Sequence, residues 1–175
     1  MLPNTKEPTL LHRCSQASTA AESRFRIDRP VLSTRSARII AIDEGAAAFL
    51  ADLVKEGWDP DRFLTYVAAE PVVDDEDGPS VDAVLEDQAG QQRHLRTELS
   101  DADAVVMLAS RGDAAEAASL IGDICLSHPV MTAGIVVAPG ADVDAVVHAL
   151  RPNAMVLVIL DDGKDVHEML TALRV

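Results

Sequence analysis

Glycine is scarce where it would matter most. The 175 residues include nine glycines, and nowhere do they gather into the run that lets main-chain N–H groups close around a phosphate. Aromatic residues make up only 3% of the chain, so a core must be built from Val, Ile, Leu, Ala and Met, a palette that suits a parallel sheet covered by helices. The two cysteines, Cys14 and Cys125, give neither a metal-ligand spacing nor a persuasive disulfide pair, which makes a reducing cytoplasm the default setting. No apolar run reaches the roughly 18 to 20 residues of a membrane span, and the start lacks the apolar segment of a secretory signal. Membrane is therefore not an expected partner.

Positive charge is also short. The formal net charge is −14, and it is unevenly spread. Residues 1–38 carry seven basic residues against three acids, a net of +4, which leaves −18 on the remainder. An acidic body repels polyanions, so nucleic acid is not expected either. Residues 1–36 mix Pro, Ser, Thr and Arg without an apolar period, and read as a poorly ordered or docking arm. Their Arg/Ser bias is faintly similar to an organelle transit peptide, but a solvated tail is the preferred reading.

What the chain does hold is material for one domain over 37–175, with 48% hydrophobic residues. Arg38-Ile39-Ile40-Ala41-Ile42-Asp43 has the form of a buried strand entering a turn, and Ala46, Phe49, Leu50, Leu53 and Val54 then recur at helical spacing until Gly57 and Pro60. Phe63 to Ala69 reads as a second strand, stopped by Pro71. Val81–Leu99 is open between a hairpin turning at Asp87-Gln88-Ala89-Gly90 and a strand followed by a short helix. From Asp101 the pattern is regular, with strands expected at 104–109, 132–138 and 155–160. Helices with apolar stripes alternate with them, centred on Leu120 and Ile121, on Val146 and Val147, and on Met169 and Leu170. Asp165 and Glu168 are spaced as a capping box for the last helix. The expectation is an α/β fold of three-layer, Rossmann-like form, with a mostly parallel sheet and helices on both faces.

Several constellations invite a functional reading. Asp74-Asp75-Glu76-Asp77-Gly78 with Asp82 offers oxygen ligands but lacks calcium-loop spacing, so it reads as a solvated loop and no metal is expected. Asp161-Asp162-Gly163-Lys164 resembles the acidic strand ends of receiver-like folds, yet serves more simply as a helix entry. His94, His128, His148 and His167 fall on different elements, and no Ser or Cys is framed as a nucleophile. Cys125 lies on an apolar stripe, the place of an inert core thiol. No catalytic residue is expected.

The order of pieces resembles the nucleotide-binding domain of the FtsZ/tubulin family. The resemblance is carried by the strand and turn Ile39 to Ala47, by Asp101 to Ala109, by Ala133-Gly134-Ile135-Val136-Val137-Ala138-Pro139, and by Leu150 to Asp162. That family holds nucleotide phosphates on glycine-rich loops. At the matching positions this chain has Asp43, Glu44 and Gly45 in the first loop, and Ser110, Arg111, Gly112 and Asp113 in the second. Carboxylates about 5 Å from a phosphate repel it by roughly 3 kcal/mol per charge at an effective dielectric near 20. The resemblance thus implies a relative that has lost GTP: non-catalytic, without cofactor, and serving as a homo-oligomer or a docking module for a protein partner. The alternative is a small-molecule enzyme or sensor whose crevice is formed at the strand carboxyl ends by Asp43, Glu44, Ser110, Arg111, Asp161 and Asp162.

Overall fold

A computed structural model describes residues 36–74, 78–138, 140 and 142–173, the side chains of 73, 74, 78 and 79 apart. The arm expected over 1–36 lies outside them except for Ser36, whose carbonyl accepts a hydrogen bond from the Asp103 amide at 2.7 Å.

Every apolar run read from the sequence becomes a strand or a helix. In chain order these are β1 (Ala37–Ala41), α1 (Glu44–Lys55), β2 (Phe63–Asp74), β3 (Gly78–Asp87), β4 (Gln92–His94), α2 (Leu95–Leu99) and β5 (Ala104–Ala109). There follow α3 (Ala115–Leu126), β6 (Met131–Val137), α4 (Asp144–Leu150), β7 (Val156–Leu160) and α5 (Asp165–Leu173), with single 3-10 turns at Pro60–Arg62 and Gly112–Ala114. The seven strands make one sheet in the order β4-β3-β2-β1-β5-β6-β7. β2, β1, β5, β6 and β7 run parallel, while β3 and β4 are added antiparallel outside β2.

Alternation along each central strand builds two cores. Ile39, Val106, Leu108, Ile135 and Val137 point to one face and meet Leu50 and Leu53 of α1 and Val166 and Leu170 of α5. Ile40, Val105, Met107 and Val136 point to the other, against α2, α3 and α4 through Leu95, Leu99, Ile121, Val146 and Leu150. Both faces of β1 and β5 are thus covered, which is why these strands are apolar almost without interruption. Burying each such Ile, Leu or Met contributes roughly 1.5–3 kcal/mol. The expected three-layer, Rossmann-like α/β fold is the one observed.

The placement of the helices follows from handedness. From β1 the chain moves outward to β2, then returns past β1 to β5 and continues the opposite way to β6 and β7. Right-handed crossovers in opposite directions place their helices on opposite faces, hence α1 on one side and α3 and α4 on the other. Counting the parallel strands alone, the order is 2-1-3-4-5, that of the flavodoxin-like doubly wound sheets, and the direction reverses between β1 and β5.

Local expectations fare unevenly. Pro71 does not stop β2; the strand runs on to Asp74 as a ribbon with β3. Pairing with β1 ends at Thr65, so beyond it β2 has one neighbour and a proline lacking an N–H is tolerated. The open segment 81–99 resolves as both readings at once, a β3–β4 hairpin and the short helix α2. Its turn is held by Asp87, whose Oδ1 accepts from the amides of Gln91 (2.8 Å) and Ala89 (2.9 Å) while Oδ2 accepts from Arg93. Those bonds, that of Gln91 foremost, hold the Asp87 carboxyl below the usual carboxylate range. Asp165 falls inside the first turn of α5 instead of capping it; the side chain that accepts there is Asp162, from the Lys164 amide at 3.0 Å. The side chains of the acidic run 74–78 lie outside the described residues.

Candidate functional site

In open α/β sheets, ligands enter at the carboxyl ends of the strands where the winding direction reverses. Here that crevice lies between the ends of β1 and β5, and both suspect loops open into it. Asp43 follows β1 and adopts extended backbone (φ −147°, ψ 167°) as the N-cap of α1. Its Oδ1 accepts from the Ala46 amide at 2.8 Å and from the Ser110 hydroxyl at 2.5 Å, while Oδ2 accepts from the amides of Ser110 at 2.6 Å and Arg111 at 3.1 Å. Four donors from two loops therefore converge on one carboxylate. Three are main-chain N–H groups, the kind of donor a phosphate-binding loop presents. The anion they hold belongs to the chain itself.

The two surviving glycines serve this arrangement. A Cβ on Gly45 would overlap Ser110 Oγ, so the absent side chain makes room for the hydroxyl that binds Asp43. A Cβ on Gly112 would lie 2.7 Å from the Asp142 carbonyl oxygen, so here the missing side chain admits another stretch of main chain. At each glycine, another part of the chain takes the place of the missing side chain.

The remaining residues of interest are scattered. Arg111 turns its guanidinium to Asp113 at 3.1 Å, both side chains being more than half exposed. They line an open hollow of about 440 Å³ with Gly112, Asp142 and Ala145, where two carboxylates outnumber one guanidinium. Glu44 is exposed in the first turn of α1. Asp161 and Asp162 end β7, two strand positions from β5 and thus about 10 Å away across the sheet. Asp162 also faces Lys164 Nζ at 3.9 Å, and lines a hollow of about 190 Å³ with Phe49, Glu56 and His167. Of the six candidate crevice residues, the structure joins Asp43, Ser110 and Arg111 and leaves Glu44, Asp161 and Asp162 apart from them.

Elsewhere the chemistry is quiet. Cys125 is buried on α3, and desolvation pushes its thiol up to about 12. Tyr66 is raised above the ordinary phenol range, first by burial and then by the nearby Glu116 charge. Among the described residues no group of three or more His, Cys, Asp or Glu is placed to hold a metal ion, and no helix is long and apolar enough to cross a membrane.

Sequence reasoning saw Asp43 as a charge that repels phosphate and missed that it caps α1 and ties Ser110. The capping signal was present, since an Asp directly before a helical apolar period is an N-cap; the tie to Ser110 left no local mark.

Fold and site together define a doubly wound α/β domain whose two switch-point loops are tied together by the carboxylate of Asp43. No family model, curated protein or solved structure matches this chain.

Proposed function

We propose that this domain is a non-catalytic association module, a degenerate relative of the FtsZ/tubulin nucleotide-binding domain that has lost GTP and works in the cytoplasm by self-association or by docking a protein. The reading is supported above all by Asp43. Its carboxylate takes the donors that would otherwise meet a nucleotide's phosphates, and places a negative charge at the point where those phosphates would sit. Asp113 and Asp142 line the neighbouring hollow, with Arg111 as its one cation. The strand and helix order supports descent from a nucleotide-binding architecture, and the acidic body favours protein partners over nucleic acid.

Isothermal titration with GTP, GDP and ATP in the presence of Mg²⁺ tests it. No heat beyond dilution is expected, and micromolar binding of any of the three would overturn the proposal.

A further inference from the structure

The two edges of the sheet are unlike. β4 ends one side with three exposed polar residues, Gln92, Arg93 and His94, a short charged edge of the kind that discourages pairing. β7 ends the other with Val156-Leu157-Val158-Ile159-Leu160, an uncharged apolar strand without proline. Ile159 is 53% exposed, Val156 44% and the adjoining Met155 73%. After Leu160 the chain turns away from this edge, for Gly163 packs against the Phe49 ring of α1. Among the described residues nothing covers the outer side of β7.

We propose that β7 is the interface of a two-fold symmetric dimer, in which it pairs antiparallel with β7 of a second copy to make one continuous sheet. This rests on the reading of the domain as an association module and names its partner. The hydrogen-bonding pattern suits such pairing. The Ala138 amide donates to the Leu160 carbonyl at 2.8 Å, so Leu160, Val158 and Val156 turn their main-chain groups inward to β6 and leave those of Leu157 and Ile159 facing out. A two-fold axis through Val158 then sets Leu157 of one copy opposite Ile159 of the other, twice, and each pair exchanges both of its hydrogen bonds. The same register gives the exposed Ile159 side chain an apolar partner.

Charge selects the direction. Arg151 lies in the turn from α4 towards the amino end of β7, and Asp161 and Asp162 follow its carboxyl end with Lys164 facing Asp162, all of them exposed. Antiparallel pairing brings Arg151 of each copy towards the acids of the other, whereas parallel pairing would stack acids on acids. Because each copy offers the same strand to the other, pairing β7 with β7 uses up both edges and the assembly closes at two. An interface of this length is at the small end of the range, so a dissociation constant of about 1–100 μM is expected.

Sedimentation velocity of the full chain over a concentration series reads this directly. The wild type should move from monomer to dimer, Ile159→Lys should weaken association at least about tenfold, and Ile159→Pro should do the same because only an outward N–H is lost. Circular dichroism establishes that each variant is folded. Arg151→Asp should weaken the dimer, and adding Asp162→Arg should restore it. A wild type that stays monomeric, or a folded Ile159→Lys that still dimerises like the wild type, overturns the proposal. Nucleotide binding by a dimer would sink the function reading but spare this interface; a monomer that binds no nucleotide would do the reverse.

Discussion

Removing the Asp43 carboxylate should both weaken the fold and open an anion site. In Asp43→Ala the helix α1 loses its N-cap, worth about 1 kcal/mol, and the amides of Ser110 and Arg111 and the Ser110 hydroxyl lose a charged acceptor. Hydrogen bonds to a charge contribute roughly 1.5–3 kcal/mol when buried, but the site is half-exposed and water will replace part of each. A total near 3 kcal/mol follows, a fall of roughly 6–12 °C in melting temperature for a domain of this size. The three bared N–H groups should then accept a free anion. Phosphate at 100 times its dissociation constant would return about 2.7 kcal/mol. The assay is thermal unfolding of wild type and variant with and without phosphate, taking the wild-type response as the measure of general salt stabilisation. A loss below about 1 kcal/mol, or an equal response of both proteins to phosphate, would refute the view that Asp43 occupies an anion site.

Gly45→Ala should destabilise by about 2 kcal/mol, because its Cβ overlaps Ser110 Oγ, and Ser110→Gly in the same chain should recover much of the loss in chemical denaturation. In a Cys14→Ser variant, Cys125 should resist a thiol reagent at pH 8 and react only on unfolding, since burial holds it as the unreactive thiol; rapid labelling of the native protein would contradict its placement. The Asp87 carboxyl is held below its unfolded value, so its contribution to the β3–β4 turn is present above that value and is lost as pH falls through the lower folded one. Protection of the Ala89 and Gln91 amides, measured against their intrinsic exchange at each pH, should therefore fall in acid, and Asp87→Ala should abolish that pH dependence.

The central strands were legible because burial on two faces leaves so few choices. Ala104 to Ala109 admits no polar residue, and the helical stripes around Ile121, Val146 and Leu170 each define one inward face. Pro71 misled because its effect depends on whether a second strand lies beside it, which no local window reveals. Segment 81–99 resisted for a related reason: its turn is decided by Asp87 reaching Gln91 and Arg93, and its helix by Leu95 and Leu99 finding a core built mostly from distant residues. At the crevice, the unusual acids were visible in the sequence. That Asp43 meets Ser110, 67 positions later, was visible only once β1 and β5 lay side by side.

A ligand held by diffusion can be lost when its supply falls, and a domain that leans on it loosens accordingly. Here the anion of the crevice is tethered by the backbone, so its local concentration is set by chain geometry and no change in the surrounding metabolite pool can empty it. Stability at this spot is thereby supplied from within, and the loops after β1 and β5 are joined by bonds that no dilution can break.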